Sequence, residues 1–157
     1  MNNSLRVGIA GLGTVGGALV KALDDKEELL ISQCGRPLTV TAVSARDKSR
    51  DRGFDLSSFA WFDDAVALAV DDNIDVYVEL IGGDEGPARE SVLAALNAGK
   101  HVVTANKALL AKHGLELAKA AEEGGVVLNF EAAVAGGIPI VKTMRESLSG
   151  NETSRLY

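Results

Sequence analysis

Cysteine is almost missing from this chain: Cys34 stands alone among 157 residues, so an internal disulfide is excluded. No Cys/His cluster has zinc-ligand spacing, which removes a structural zinc site and makes a reducing, cytoplasmic setting the expectation. Basic side chains are outnumbered, 16 against 22 acidic ones, and the net charge of -6 has the wrong sign for a domain held by nucleic-acid phosphates. No apolar run approaches the ~18 residues of a membrane span. The opening MNNSLRVGIAGLG also lacks the charged start and long apolar stretch of a signal peptide. Nucleic acid and membrane are therefore not expected as partners. Gly-Lys-Ser and Gly-Lys-Thr are absent as well, which excludes the phosphate loop of kinases and GTPases. Aromatic residues make up only 4%, and small apolar residues and glycine dominate instead, a composition suited to helices packed closely on a sheet.

What is present alternates. Leu5–Ala10 reads as a strand, followed by a glycine-rich turn and a helical apolar pattern at Val15, Leu19, Val20 and Leu23 that ends within 24–33. Further strands are expected at 38–43, 74–81, His101–Thr104 and 126–130. Helices are expected within 59–70, over 87–98 with Pro87 at the start and Gly99 past the end, over 105–123 with Gly114 as a potential break, and over 138–148. This pattern, with mostly continuous apolar strands, predicts an α/β fold: a Rossmann-type, doubly wound, mostly parallel sheet with helices on both faces. Residues 1–150 form one expected domain. The residues after it, 151–157, show no visible partner.

Gly11-Leu12-Gly13-Thr14-Val15-Gly16 fits G-x-G-x-x-G between a strand and a helix, the context in which that string binds a dinucleotide. Gly11 permits the sharp turn, Gly13 admits a pyrophosphate to the backbone, and Gly16 lets the helix lie close on the strand. The first helical amides, at Thr14 and Val15, would face the anion. The bland alternative is a glycine turn chosen for packing. After the second strand, where an acid selects NAD and an arginine NADP, stands Ser44-Ala45-Arg46. Arg46, Lys48, Arg50 and Arg52 form the densest positive cluster, with Arg46 the best candidate for a 2′-phosphate. Asp47 could serve a ribose, so NADP is favoured and NAD stays open.

Three later segments carry a resemblance: Val78-Glu79-Leu80-Ile81-Gly82-Gly83, Val102-Val103-Thr104-Ala105-Asn106-Lys107-Ala108-Leu109-Leu110-Ala111, and Asn129-Phe130-Glu131-Ala132-Ala133-Val134-Ala135-Gly136-Gly137-Ile138-Pro139-Ile140. With the glycine turn, and in this order, they resemble the cofactor-binding domain of homoserine dehydrogenase. The resemblance implies reversible hydride transfer between NAD(P)H and L-aspartate 4-semialdehyde, giving L-homoserine, on the route to threonine, isoleucine and methionine. It implies Lys107 as an active-site lysine, Gly82, Gly83 and Thr104 beside the coenzyme, and a sodium ion held by the Glu131 side chain and the carbonyls of Val134, Gly136 and Ile138. On the residues alone, Lys107 reads equally as a surface lysine at a helix start, Gly82 and Gly83 as a strand end, and Glu131 as a loop acid. The resemblance also implies that residues 151–157 start a connection to a substrate and dimerisation domain that this chain lacks, that the complete enzyme is a homodimer, and that this portion binds coenzyme without turnover. Two rivals remain: another small amino-acid or semialdehyde reductase of similar architecture, and a stand-alone dinucleotide sensor. A cysteine nucleophile is disfavoured because Cys34 precedes the second strand, far from the expected crevice. His101 and His113 read as structural, and Trp61, with Phe59 and Phe62, as packing.

Overall fold

The computed structural model describes residues 4–150, so the expected connecting segment 151–157 lies outside the described residues. Among these residues six strands form one sheet: β1 (Leu5–Ala10), β2 (Leu38–Ser44), β3 (Ala60–Phe62), β4 (Val76–Glu79), β5 (His101–Thr104) and β6 (Leu128–Asn129). Their spatial order is β3-β2-β1-β4-β5-β6 and every pairing is parallel. The chain winds outward from β1 in one direction and then from β4 in the other. This is the doubly wound Rossmann arrangement, whose reversal between β1 and β4 opens a crevice at the carboxyl ends of those strands.

The helices are α1 (Thr14–Asp25), α2 (Glu27–Cys34), α3 (Ala65–Ala69), α4 (Pro87–Asn97), α5 (Lys107–Glu123), α6 (Glu131–Ala135) and α7 (Ile140–Lys142), which runs into a π-type turn over Thr143–Ser147. Successive strand residues point to opposite faces, so each strand feeds two cores. Val7, Ile9, Val43 and Val78 pack with Val20 of α1, whereas Ala42, Tyr77 and Val102 pack with Leu68, Leu96 and Leu117 on the face of α3, α4 and α5. Pro87 begins α4 and Gly99, at φ 72°, lies beyond its end, as the boundary residues predict.

Several expectations need correction. The 59–70 segment holds a short edge strand, β3, before its helix. Three residues are too few for periodicity to reveal, and pairing with β2 supplies the missing stability. Gly114 does not break α5, which runs unbroken through it, since one glycine costs a helix only ~1 kcal/mol. The expected helix over 138–148 is a single α turn followed by the π-type turn. Glu131 begins a helix rather than lying in a loop.

At the amino ends of β1 and β4, Arg6 grips Asp75. Its Nη2 donates to Oδ1 at 2.6 Å, and its Nε and backbone N–H donate to Oδ2 at 3.1 and 2.8 Å. These bonds from Arg6 hold the Asp75 carboxyl at about 2, below its usual 3.8. A depressed carboxyl adds stability above its unfolded-state value and loses it on protonation, so this contribution should disappear as pH falls from about 4 to about 2. The side chain is 34% exposed, and solvent screening leaves ~1 kcal/mol. Asp75→Asn should therefore lower Tm at pH 7 and match the parent at pH 2. A Tm gap that persists unchanged at pH 2, followed by thermal melts across that range, would show that the charge is not responsible.

Candidate coenzyme site

Register aligns Ser44, Ala10, Glu79 and Thr104, the last residues of β2, β1, β4 and β5, in one row across the sheet. Except for Thr104, which ends β5 itself, the sequence-derived candidates follow this carboxyl edge: the glycine turn after β1, Arg46 after β2, Gly82 and Gly83 after β4, Lys107 after β5, and Glu131 after β6.

The glycine turn is built as its pattern requires. Gly11 has φ 96°, and a Cβ there would run into the Leu80 carbonyl. A Cβ on Gly16 would collide with the Gly11 carbonyl oxygen, so α1 can approach β1 only through a glycine. Gly13 faces open space, with nothing within 4 Å of where its Cβ would be. The Gly17 N–H donates to the Gly13 carbonyl at 2.9 Å to begin α1. No side chain caps the helix, and the Thr14 and Val15 amides have no partner among the described residues. Unpaired amides at the positive end of a 12-residue helix suit an anion. Val15 is 60% exposed at this end.

The loop after β2 sorts the cationic cluster. Arg52 turns inward: its guanidinium donates to the carbonyls of Leu12, Asp47 and Arg50 and lies 5.9 Å from the Trp61 ring centre. Lys48 sits 5.7 Å from the same ring. Arg46 is exposed and makes no hydrogen bond or ion pair among the described residues. Asp47 accepts from the Ser49 hydroxyl and amide at 2.7 and 2.8 Å, which hold its carboxyl below the usual range. The strap from Arg52 to Leu12 joins this loop to the glycine turn, a link that the charge pattern did not reveal.

Beyond β4, Gly82 and Gly83 adopt φ of 84° and 86° and are open to solvent. Asn106 caps α5, its Oδ1 accepting from the Leu109 N–H at 3.1 Å. Lys107 therefore stands on the first turn, exposed and without a polar partner among the described residues. Thr104 differs from expectation, because its hydroxyl is buried and donates to Glu79 at 2.6 Å rather than facing the crevice. The histidines serve the scaffold. His101 Nδ1 accepts from Val127 N–H at 3.1 Å, and His113 lies between Glu85 and Glu116 on the outer surface.

At the far end of the edge, Glu131 accepts only the Lys142 N–H among the described residues, at 3.4 Å. The Ile138 N–H bonds the Ala135 carbonyl at 2.7 Å, and the Ile138 carbonyl accepts from Ile140 at 2.8 Å. The carbonyls of Val134 and Gly136, released by the end of α6, accept no backbone bond outside the helices among the described residues. Carboxylate and carbonyl oxygens are the donor types that suit a hard cation. Two hollows, of ≈ 440 and ≈ 560 Å³, lie elsewhere: one between α1, β2 and residues 54–59, the other on the outer side of α4 and α5. Neither contains a candidate residue.

The family model described as "Homoserine dehydrogenase, NAD binding domain" matches residues 11–131, from the glycine turn to Glu131. The chain belongs to that family. The homoserine dehydrogenase of Bacillus subtilis is 40% identical over 98% of this chain, and that of Corynebacterium glutamicum 48% identical over 93%. This chain spans about a third of the length of these curated relatives, 35% and 33%. Among solved structures, a homoserine dehydrogenase from Thiobacillus denitrificans superposes with a TM-score of 0.85 and 44% identity, over 95% of this chain and 34% of that one. A hyperthermophilic archaeal homoserine dehydrogenase in complex with NADPH gives a TM-score of 0.76 at 25% identity, over 94% of this chain and 50% of that one. As an NAD-binding domain of the homoserine dehydrogenase family, the chain takes a dinucleotide coenzyme. No helix among the described residues is long and apolar enough to cross a membrane.

Proposed function

We propose that this chain is the coenzyme-binding part of a homoserine dehydrogenase, which interconverts L-aspartate 4-semialdehyde and L-homoserine with NAD(P)H or NAD(P)+. The observation that carries the reading is the convergence, on one edge of a doubly wound sheet, of an uncapped helix start, an open Gly13 and an exposed Lys107 that no described residue pairs. In this reading the Thr14 and Val15 amides hold the pyrophosphate, with Gly11, Gly13 and Gly16 allowing its approach, and Gly82 and Gly83 flank the coenzyme. The bound coenzyme supplies or accepts the hydride. The Lys107 ammonium stabilises the negative charge on the substrate oxygen as the carbonyl is reduced. Glu131, with the carbonyls of Val134, Gly136 and Ile138, holds a sodium ion. The rest of a longer polypeptide completes the substrate site and forms a homodimer. The setting is cytoplasmic, where a lone exposed Cys34 stays reduced.

Arg46 points the coenzyme choice toward NADP, because of the two exposed guanidiniums in this loop that no described residue engages, Arg46 and Arg50, it lies nearer the end of β2, while Asp47 is occupied by Ser49. Titration calorimetry with both coenzymes tests this. Arg46→Ala should weaken NADPH about tenfold, the scale of a charge-assisted phosphate contact, and NADH within about twofold. Equal losses for the two coenzymes would remove the 2′-phosphate role. Failure of the parent chain to bind either one would remove the proposed function itself.

A further inference from the structure

Glu79 is fully buried, at a position where the alternation of β4 calls for an apolar side chain beside Tyr77. It forms no ion pair among the described residues. A lone buried carboxylate is costly unless hydrogen bonds replace the water it loses. Here they do. Oε1 accepts from the N–H groups of Ile81 and Gly82 at 2.8 and 3.0 Å, and more distantly from Asn106 Nδ2 at 3.4 Å. Oε2 accepts from the Thr104 hydroxyl at 2.6 Å. Thr104 in turn accepts from the Asn106 N–H at 3.0 Å, and Asn106 Nδ2 donates to the Gly83 carbonyl at 2.6 Å. One carboxylate and one amide thus tie the turn after β4 to the start of α5.

The turn itself has little else to hold it. Gly82 and Gly83 both adopt left-handed φ, and no atom lies within 4 Å of the Cβ position of either. Glycines without packing neighbours would sample many conformations, so the hydrogen bonds from Glu79 and Asn106 set where this turn lies.

We propose that Glu79, acting with Asn106, is a positioning residue that fixes the 81–83 turn in the shape that receives the coenzyme. This rests on the reading that the turn faces NAD(P)H. Glu79→Gln keeps the side-chain volume but turns one acceptor oxygen into a donor, which confronts either a backbone N–H or the Thr104 hydroxyl. In the full-length polypeptide, steady-state kinetics should show the coenzyme KM raised about tenfold and the semialdehyde KM within about twofold of the parent. A residue that merely supports the fold would reduce the active fraction, lowering kcat with both KM values unchanged, and that result would overturn the proposal. Should Glu79→Gln fail to fold, Asn106→Ser decides. Serine can still cap α5 but loses the arm to Gly83, so the coenzyme KM should rise about threefold or more. An unchanged KM in that variant counts against the positioning role. If the parent enzyme saturates with neither NADPH nor NADH, the coenzyme reading fails first and this assignment falls with it.

Discussion

Gly13→Ala is expected to leave Tm unchanged and to weaken coenzyme binding about 10- to 100-fold, whereas Gly16→Ala should lower stability by ~3 kcal/mol. The two glycines stand three residues apart in one turn but face different surroundings. Gly13 has φ -77° and ψ -156°, which any residue can adopt, and its new methyl would meet nothing within 4 Å. The protein gives no reason for a glycine there; a pyrophosphate resting on the backbone does. A methyl on Gly16 would collide with the Gly11 carbonyl oxygen, which is backbone and cannot swing aside. Helix α1 would have to lift from β1, disturbing the contacts of Val20 with Ile9 and Val43. Thermal melts and calorimetry on the two variants separate ligand space from packing space. Unimpaired coenzyme affinity in Gly13→Ala would show that the pyrophosphate lies elsewhere.

Lys107→Ala in the full-length polypeptide should reduce kcat about 10²- to 10³-fold, the usual cost of removing a group that stabilises charge on a reacting oxygen. Coenzyme affinity should stay within about threefold. The substitution is clean because Lys107 is exposed, bonds no described residue, and follows a cap supplied by Asn106. Alanine also favours helix more than lysine does, so α5 should start at the same place. A stand-alone dinucleotide sensor has no use for this ammonium. Turnover that survives the substitution within about threefold would therefore remove Lys107 from the chemistry.

Much of the scaffold was readable from local signals. Strand His101–Thr104 and the start of α4 at Pro87 stand where apolar runs and boundary residues put them. Helix α5 begins at Lys107, two residues later than expected, because Asn106 turns its side chain to cap the helix. The candidate site was legible for the same reason: the glycines and Lys107 follow directly after strands, and parallel topology carries every strand end to one edge. Edge strand β3 and the Glu131–Ala135 helix were not legible, since three and five residues are too short to show a period.

Thr104 and Arg52 illustrate a different limit. Both belong to the right neighbourhood, but Thr104 spends its hydroxyl on Glu79, and Arg52 spends its guanidinium on three carbonyls instead of standing free like Arg46. Such partners lie 25 and up to 40 residues away along the chain. By itself, the order of residues determined the alternating strands and helices, the glycine turn and the edge at which chemistry can occur, because these depend on periodicity and backbone freedom over a few residues. Only the tertiary structure decided which polar groups face the crevice and which are consumed inside the protein, because that choice depends on hydrogen bonds between segments that meet when the sheet forms.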